Sequence, residues 1–197
     1  MTLTQNEKKV LRLLAASRNE DYSINEIAKQ CGITPNGAYK ILVKLEKEGI
    51  LKKKQIANII AYKLNFDNEK TMLMLELSFV PDILEGRVKL RAEDLEPLKA
   101  VAKACIVFGS YITPKQKPGD IDIMFILDKS QFQDYKKKLS NVQDIMPVKI
   151  QDVVQTDEDL QQNLKKGDVI VKEALQNGIV LWGYKTITEA VKNAGQA

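Results

Sequence analysis

The chain of 197 residues contains no histidine and only two cysteines. Without histidine it can build neither a Ser-His-Asp or Cys-His catalytic set nor a zinc site that depends on imidazole. The two cysteines, Cys31 and Cys105, offer neither a disulfide framework nor a CxxC metal motif, and we expect both to be small buried apolar residues. The well-formed catalytic set that remains in the sequence is acidic.

Long apolar runs are also absent. No stretch is long enough to span a membrane, and the amino terminus lacks the apolar centre of a secretory signal. The hydrophobic share of 44% and the charged share of 28% are ordinary for a globular protein. A length of 197 residues suits two small domains, each with its own core. We expect a cytoplasmic protein with no membrane contact.

The segment from Phe108 to Leu127 combines a Gly-Ser turn with two closely spaced aspartates. The apolar run before Gly109 and Ser110 predicts a buried strand that breaks into a turn. A second strand is predicted to begin at Asp120, and its period of two places Asp120 and Asp122 on one face, roughly 6 to 7 Å apart. Such carboxylates can hold Mg²⁺ or Mn²⁺ with a nucleoside triphosphate, while the Gly-Ser turn holds the phosphates from the other side.

This order of motifs resembles the minimal nucleotidyltransferases of the DNA polymerase β superfamily, over about residues 87 to 185. Their signature is an apolar strand, Gly-Ser, a spacer and then Asp-x-Asp. The resemblance implies an NTP substrate and a third carboxylate on a later strand, for which Asp152 in the segment VKIQDVV is the candidate. Asp152 would be both a metal ligand and the base for an attacking hydroxyl. Asp144 and Asp157 remain alternatives to it.

The loop between the two motifs departs from the family pattern. Members often carry an Arg-Gly pair after Gly-Ser and a serine before the first aspartate, where this chain has Ile-Thr-Pro and Gly119. Lys115 and Lys117 are our candidates for the positive charge beside the phosphates. The simpler interpretation is a β-hairpin with a Pro/Gly loop and no ligand. The coincidence of Gly-Ser, Asp-x-Asp and a later strand aspartate favours the nucleotide site.

The first third of the chain predicts three helices and a hairpin. Capping boxes at Thr4–Glu7 and Ser23–Glu26 mark two helix starts, and the third helix begins at Pro35 behind Thr34 and ends at Gly49. Two strands follow. This order resembles a winged helix-turn-helix domain of prokaryotic regulators, which implies that the third helix enters the major groove of duplex DNA. The candidate DNA-contacting residues are Pro35, Asn36, Tyr39, Lys40, Lys52 and Lys54.

Positive charge is concentrated in the same region. Residues 1–65 hold twelve Lys and Arg against six Asp and Glu, whereas the remaining residues hold eighteen against twenty. This asymmetry favours nucleic acid as a partner, although a solvated basic face or a protein-binding winged helix would share it. Because a strand alternates its faces, Lys53 is expected to point away from any phosphate that Lys52 and Lys54 contact.

We therefore predict an α+β chain with four parts. A winged helix-turn-helix domain covers 1–65, an apolar connecting helix lies within 66–86, a small mixed-sheet nucleotidyltransferase domain covers 87–185, and a tail covers 186–197. The connecting segment is too apolar for a flexible linker. A helix with such an apolar stripe either packs onto the domains of its own chain or pairs with a second copy. Of these alternatives, Met72, Leu73 and Leu77 favour a homodimer.

Two functional hypotheses follow from these domains. In the first, the protein is an enzyme that transfers a nucleotidyl group from an NTP to a protein, a nucleic acid or a small molecule, and its winged helix localises or regulates it. In the second, it is a DNA-binding regulator or an antitoxin, paired with a toxin protein, whose transferase domain senses a nucleotide or is inactive. The acceptor, the preferred NTP and the operator sequence are not encoded in any motif that we can identify.

Overall fold

A computed structural model of the protein describes residues 3–56, 59–113 and 118–195. Its amino-terminal part consists of helices α1 (Gln5–Ala16), α2 (Ile24–Cys31) and α3 (Pro35–Lys47), followed by strands β1 (Leu51–Ile56) and β2 (Ile59–Leu64). The two strands pair in an antiparallel hairpin. Both predicted capping boxes are present, at the starts of α1 and α2. Thr34 caps α3 ahead of Pro35, as predicted. This part has the winged helix-turn-helix arrangement.

The rest of the chain forms a mixed sheet with surrounding helices. Its elements are α4 (Glu69–Phe79), α5 (Gly86–Asp94), β3 (Ala104–Phe108), β4 (Asp120–Ile126), α6 (Phe132–Ile145), β5 (Lys149–Gln155), α7 (Asp157–Lys166), α8 (Val169–Asn177), β6 (Ile179–Trp182) and α9 (Tyr184–Ala194). The strand order is β5-β4-β3-β6. Strand β4 is antiparallel to β3 and parallel to β5, and β6 is antiparallel to β3. The predicted α+β class is confirmed.

The four-stranded sheet separates two apolar cores. On one face, Ile106 and Met124 pack with side chains from α1 to α4 and from α7 to α9. On the other face, Val107 and Ile123 pack with side chains from α5 and α6. Alternate residues of each strand point to opposite faces, so each strand supplies both cores. The winged-helix part packs directly on the first face, and it therefore shares a core with the second domain.

The apolar helix α4 is largely committed to this shared core. Met74, Leu75 and Phe79 are buried within the chain, whereas Leu73 is 67% exposed and Leu77 is 36% exposed. The burial of the first three explains why the segment is so apolar without any second copy of the protein. Only the outer stripe of α4 remains available to a partner.

The carboxy-terminal residues differ from the expected tail. From Tyr184 to Ala194 they form α9, whose residues Ile187 and Val191 are buried one turn apart. Helix α9 packs against α7 and α4 because its apolar residues recur at helical spacing. The described residues contain no helix long and apolar enough to cross a membrane. Cys31 and Cys105 are buried free thiols, as predicted.

Candidate functional site

The two aspartates of β4 lie on one face of the sheet at the start of the strand. Met124 and Ile126, the next residues of the same parity, belong to the core shared with the winged helix. Asp120 and Asp122 therefore point to that face. The antiparallel register places Asp122 directly opposite Phe108, the last residue of β3. The paired carboxylates thus lie beside the turn that follows β3.

Gly109 makes that close approach possible. Its φ is 69°, in the left-handed region that favours glycine. A Cβ atom at this position would collide with Oδ2 of Asp122. The short 3₁₀ turn Gly109–Ile112 therefore packs against the aspartate, and Ser110 within it is partly exposed. The predicted proximity of the Gly-Ser turn to Asp-x-Asp is present in the structure.

Neither aspartate has a cationic partner among the residues that the structure describes. Asp120 accepts a long hydrogen bond from Nε2 of Gln151 at 3.5 Å. Partial burial raises the pKa of Asp122, and the negative charges of Asp120 and Glu173 raise it further. Carboxylates that destabilise one another in this way are a favourable environment for a bound cation.

The structure does not bring Asp152 to this site. Asp152 shares a face with Ile150 and Val154, as predicted, but these two residues pack in the core on the opposite side of the sheet. Its Oδ2 accepts a hydrogen bond from the hydroxyl of Tyr135 at 3.0 Å. The predicted grouping of Asp152 with the two aspartates of β4 is therefore corrected.

Gln151 takes the place where the third carboxylate was expected. The parallel register pairs Asp122 with Gln151 and Ile123 with Asp152. In β5, Gln151 has the parity that faces the paired aspartates. No group of three His, Cys, Asp or Glu side chains in the described ranges is arranged to hold a metal ion. The site consists of Asp120 and Asp122 with the amide of Gln151 beside them.

The remaining candidates for the nucleotide site have different outcomes. Lys115 and Lys117 lie outside the described residues. Asp157 forms an ion pair with Lys103 at 2.7 Å, and Asp144 is an exposed residue of α6. Glu173 on α8, by contrast, acts electrostatically on Asp122. Sequence reasoning gave Glu173 no role, because its effect on Asp122 depends on how α8 packs on the sheet.

Helix α3 presents the predicted DNA-contacting residues to solvent. Pro35, Asn36, Tyr39 and Lys40 are all exposed, and Tyr39 is 51% exposed. Lys40 has no ion-pair partner in the part of the chain that the structure describes. An exposed tyrosine beside a free lysine suits contact with bases and phosphates.

The two wing lysines selected from the sequence are not free cations. Lys52 forms an ion pair with Asp67, just before α4, and Lys54 forms one with Asp21, just before α2, at 3.1 Å. Both lysines therefore have partners outside the third helix. A phosphate would have to compete with these carboxylates for them.

Lys53 is the wing lysine that lies beside α3. It forms an ion pair with Glu46 of that helix at 2.8 Å. Glu46 raises the pKa of Lys53, and Tyr39 makes a smaller contribution in the same direction. The expected alternation is present, and it places Lys53, rather than Lys52 or Lys54, beside the third helix.

Comparison with known families agrees with this architecture. Residues 95–186 match the family model described as polymerase beta nucleotidyltransferase. Residues 3–52 match the family model described as winged helix-turn-helix DNA-binding. The chain carries a winged helix-turn-helix domain followed by a nucleotidyltransferase domain. No curated protein and no solved structure matches it.

The matched ranges contain the features described above. The nucleotidyltransferase match includes the Gly-Ser turn, both aspartates of β4, Gln151 and Glu173. The winged-helix match runs from the residue before Thr4 to the second residue of β1, so it includes all three helices of that domain. These matches do not favour the hypothesis of a regulator or antitoxin with an inactive transferase domain.

Proposed function

We propose that the nucleotidyltransferase domain transfers an NMP group from an NTP to a hydroxyl of an acceptor, with Mg²⁺ or Mn²⁺. The supporting observation is the pair Asp120 and Asp122, which share one face and have no cationic partner among the described residues, with Asp122 lying against Gly109. Mg²⁺ prefers a few carboxylates completed by phosphate oxygens and water. The two aspartates fit this ion, and Gln151 lies beside them. When bound, the ion would neutralise charge on the phosphates.

The acceptor oxygen forms a bond to the α-phosphorus as the bond from that phosphorus to the bridging oxygen breaks and pyrophosphate leaves. Backbone amides of Gly109 and Ser110 would hold the phosphates. The hydroxyl proton must pass to a base, which Gln151 cannot provide because an amide is not basic. Asp152 lies on the other face of the sheet. We assign this role to Glu173, the carboxylate of α8 that acts on Asp122.

Incubation with each labelled NTP, either metal and cell extract tests the transfer reaction. Products separated on gels and thin layers would identify the acceptor as protein, nucleic acid or small molecule. Asp122→Asn should abolish labelling, and Glu173→Gln should lower the rate by about 10² to 10⁴ with NTP binding retained. Asp152→Asn is the matched control and should retain activity. Labelling that survives Asp122→Asn, or its absence under every condition, would contradict the proposal.

We also propose that the winged helix binds duplex DNA through the exposed face of α3. Asn36, Tyr39 and Lys40 would enter the major groove, and Lys53 would contact phosphate from the wing. The support for this assignment is their common exposure on or beside one helix. Lys53 would have to leave Glu46 to contact phosphate. Lys52 and Lys54 would contribute less because their carboxylate partners lie away from α3.

A homodimer through α4 is a further proposal. Leu73 and Leu77 are exposed one helical turn apart, and burying each would contribute roughly 1.5 to 3 kcal/mol. Leu73→Glu with Leu77→Glu should then give a monomer in light scattering. The double variant should also weaken DNA binding, because the two winged-helix domains would no longer be joined. Leu90→Glu, at an exposed leucine of α5, is the control. A wild-type monomer at micromolar concentration would contradict the dimer.

A further inference from the structure

A basic cleft of about 440 Å³ lies where the winged-helix domain meets the transferase domain. Its walls come from α1, the end of α2, the turn after α4 and the end of α8. Four cationic side chains line it, against the single carboxylate of Asp82: Lys8, Lys9, Arg12 and Lys29. A concave surface with such an excess of one charge concentrates ions of the opposite sign. The cleft is therefore suited to an anion.

Arg12 is fixed in the wall of the cleft. Its Nε donates a hydrogen bond to the carbonyl of Leu175 at 2.9 Å, and its guanidinium also donates to the carbonyl of Gly178. The guanidinium lies 5.3 Å from the centre of the Phe79 ring. Burial lowers the pKa of Arg12 to about 10, so the side chain is still charged at neutral pH. It supplies a positive charge that cannot move away.

The three lysines of the cleft differ in their partners. Lys8 is buried; its Nζ donates to the carbonyl of Val80 at 2.8 Å and pairs with Asp82. Lys9 and Lys29 are exposed, and neither has an ion-pair partner within the described ranges. The neutralised lysine thus shapes the wall, and the two unneutralised lysines at the surface are available to a ligand.

The cleft lies at the same end of the sheet as the catalytic aspartates. Ile179 pairs with Val107 across the β3–β6 ladder, which places Gly178 opposite Phe108. Phe108 in turn pairs with Asp122 across the β3–β4 ladder. Two strand spacings separate Gly178 from Asp122, a distance of about 10 Å. The carbonyl that Arg12 binds is therefore in the same row of residues as the catalytic carboxylate.

One face of α8 connects the two places. Glu173, Gln176 and Asn177 are three and four residues apart and therefore lie on the same side of the helix. Gln176 and Asn177 line the cleft, and Glu173, the proposed base, lies one turn before them on the same helix. The separation along the helix is about one turn, or 5.4 Å. A ligand lying along this face would contact both the cleft and the catalytic edge, by which we mean the end of the sheet that carries Asp120 and Asp122.

We propose that the basic cleft binds a phosphate group of the acceptor, so that the acceptor hydroxyl reaches the catalytic edge along α8. The acceptor role rests on the proposed transfer reaction, whereas anion binding in the cleft does not. The cationic side chains favour a phosphate-bearing molecule. The distance between Gly178 and Asp122 determines how far the acceptor hydroxyl must lie from its phosphate. A nucleoside monophosphate is a suitable probe because it carries one phosphate and free hydroxyls.

Calorimetry with AMP in EDTA, at constant salt, tests the anion site. Lys9→Ala with Lys29→Ala should weaken AMP binding about tenfold or more, since the phosphate would lose a charged hydrogen bond at each position. Lys136→Ala with Lys137→Ala, on α6 across the sheet, makes the same change in net charge and should leave affinity unchanged. Asp120→Ala with Asp122→Ala should also leave it intact. Equal losses in the two lysine pairs, or no binding by the wild type, would overturn the site.

Phosphorus relaxation tests whether the cleft serves the catalytic edge. Mn²⁺ with a non-hydrolysable NTP should broaden the phosphorus resonance of bound AMP in the wild type. This broadening should disappear in the Lys9→Ala, Lys29→Ala variant. Bound AMP that is not broadened would overturn the acceptor role. Failure of the wild type to bind Mn²⁺ and NTP would instead overturn the proposed transfer reaction, and the calorimetric result in EDTA would still stand.

Discussion

Several carboxylates of the amino-terminal part and the two aspartates of β4 have opposite surroundings. Glu7 and Asp21 of the winged helix each pair with lysine, as does Asp67 just after the wing, and the pKa of each lies below its ordinary value. In the transferase domain, Asp120 and Asp122 have no such partner among the described residues. Burial and two neighbouring carboxylates raise the pKa of Asp122. The paired set stabilises the fold, whereas the unpaired set is retained at a cost in stability, as is typical of ligand sites.

The largest expected effect concerns the unpaired set. Asp120→Ala with Asp122→Ala should lower the affinity for an NTP with Mg²⁺ at least about a hundredfold, because charged contacts to the ion would be lost. Calorimetry with Mg²⁺ and with EDTA measures the effect. Asp152→Ala is the control and should bind as the wild type does. Equal wild-type affinity in Mg²⁺ and in EDTA would remove the basis for a metal site.

Loss of a paired carboxylate should lower the free energy of unfolding. Glu7→Gln should lower the free energy of unfolding by about 1 to 2 kcal/mol, through weaker capping of α1 and loss of an ion pair. The Glu7 residue is only 3% exposed and contacts Lys44 at 2.6 Å. Urea unfolding measures the change. Glu26→Gln alters an exposed capping box that has no lysine and should cost less.

The pH dependence of Glu7 has a definite sign. Its own burial opposes ionisation, but Lys44 and Thr4 lower its pKa overall. The stabilisation is therefore complete above the ordinary carboxylate range and is lost as the pH falls through the lowered pKa. The difference between wild type and Glu7→Gln should shrink on acidification. A difference that grows instead would mean that the ion pair is not its source.

The salt dependence of DNA binding should distinguish a free lysine from a paired one. Lys40→Ala should reduce the slope of log affinity against log salt by about one, because a free lysine neutralises one phosphate. Lys54→Ala should reduce it less, since Asp21 already partners that side chain. Gel shifts at rising salt measure both slopes. Identical slopes in the two variants would show that the ion pair on the wing has no effect on binding.

The smallest expected effect is a gain in the free energy of unfolding when the charge of Asp122 is removed. Asp122→Asn should stabilise the metal-free protein at neutral pH by a few tenths of a kcal/mol, since solvent screens most of the repulsion. A carboxyl with a raised pKa imposes its penalty only as the pH rises past its ordinary range, so the gain should vanish in acid. Thermal unfolding across pH measures it. Destabilisation at neutral pH without metal would contradict the assignment of repulsion at Asp122.

Local rules predicted the helix starts and the shared face of the two candidate aspartates. A capping box involves only residues three apart, so Thr4–Glu7 and Ser23–Glu26 could be identified from the sequence alone. The same holds for Asp120 and Asp122, because a period of two within one strand places them on one face. Such predictions require no knowledge of how distant segments pack.

The prediction for Asp152 failed because it required a register between strands. Parity within β5 correctly grouped Asp152 with Ile150, but only the pairing of β5 with β4 decides which parity faces Asp122. A shift of one residue exchanges the two faces. Glu173 was missed for a related reason, since it reaches the site from a helix that is distant in sequence.

The core beneath α1 makes the two domains one cooperative unit. Leu11 and Leu14 of α1 belong to the same apolar cluster as Leu175 of α8, and the two helices are in contact. Excision of either half would leave an apolar face in water and invite aggregation. We therefore expect a single calorimetric melting transition for the whole chain. A destabilising substitution in α1 would lower the melting temperature of the transferase domain together with that of the winged-helix domain.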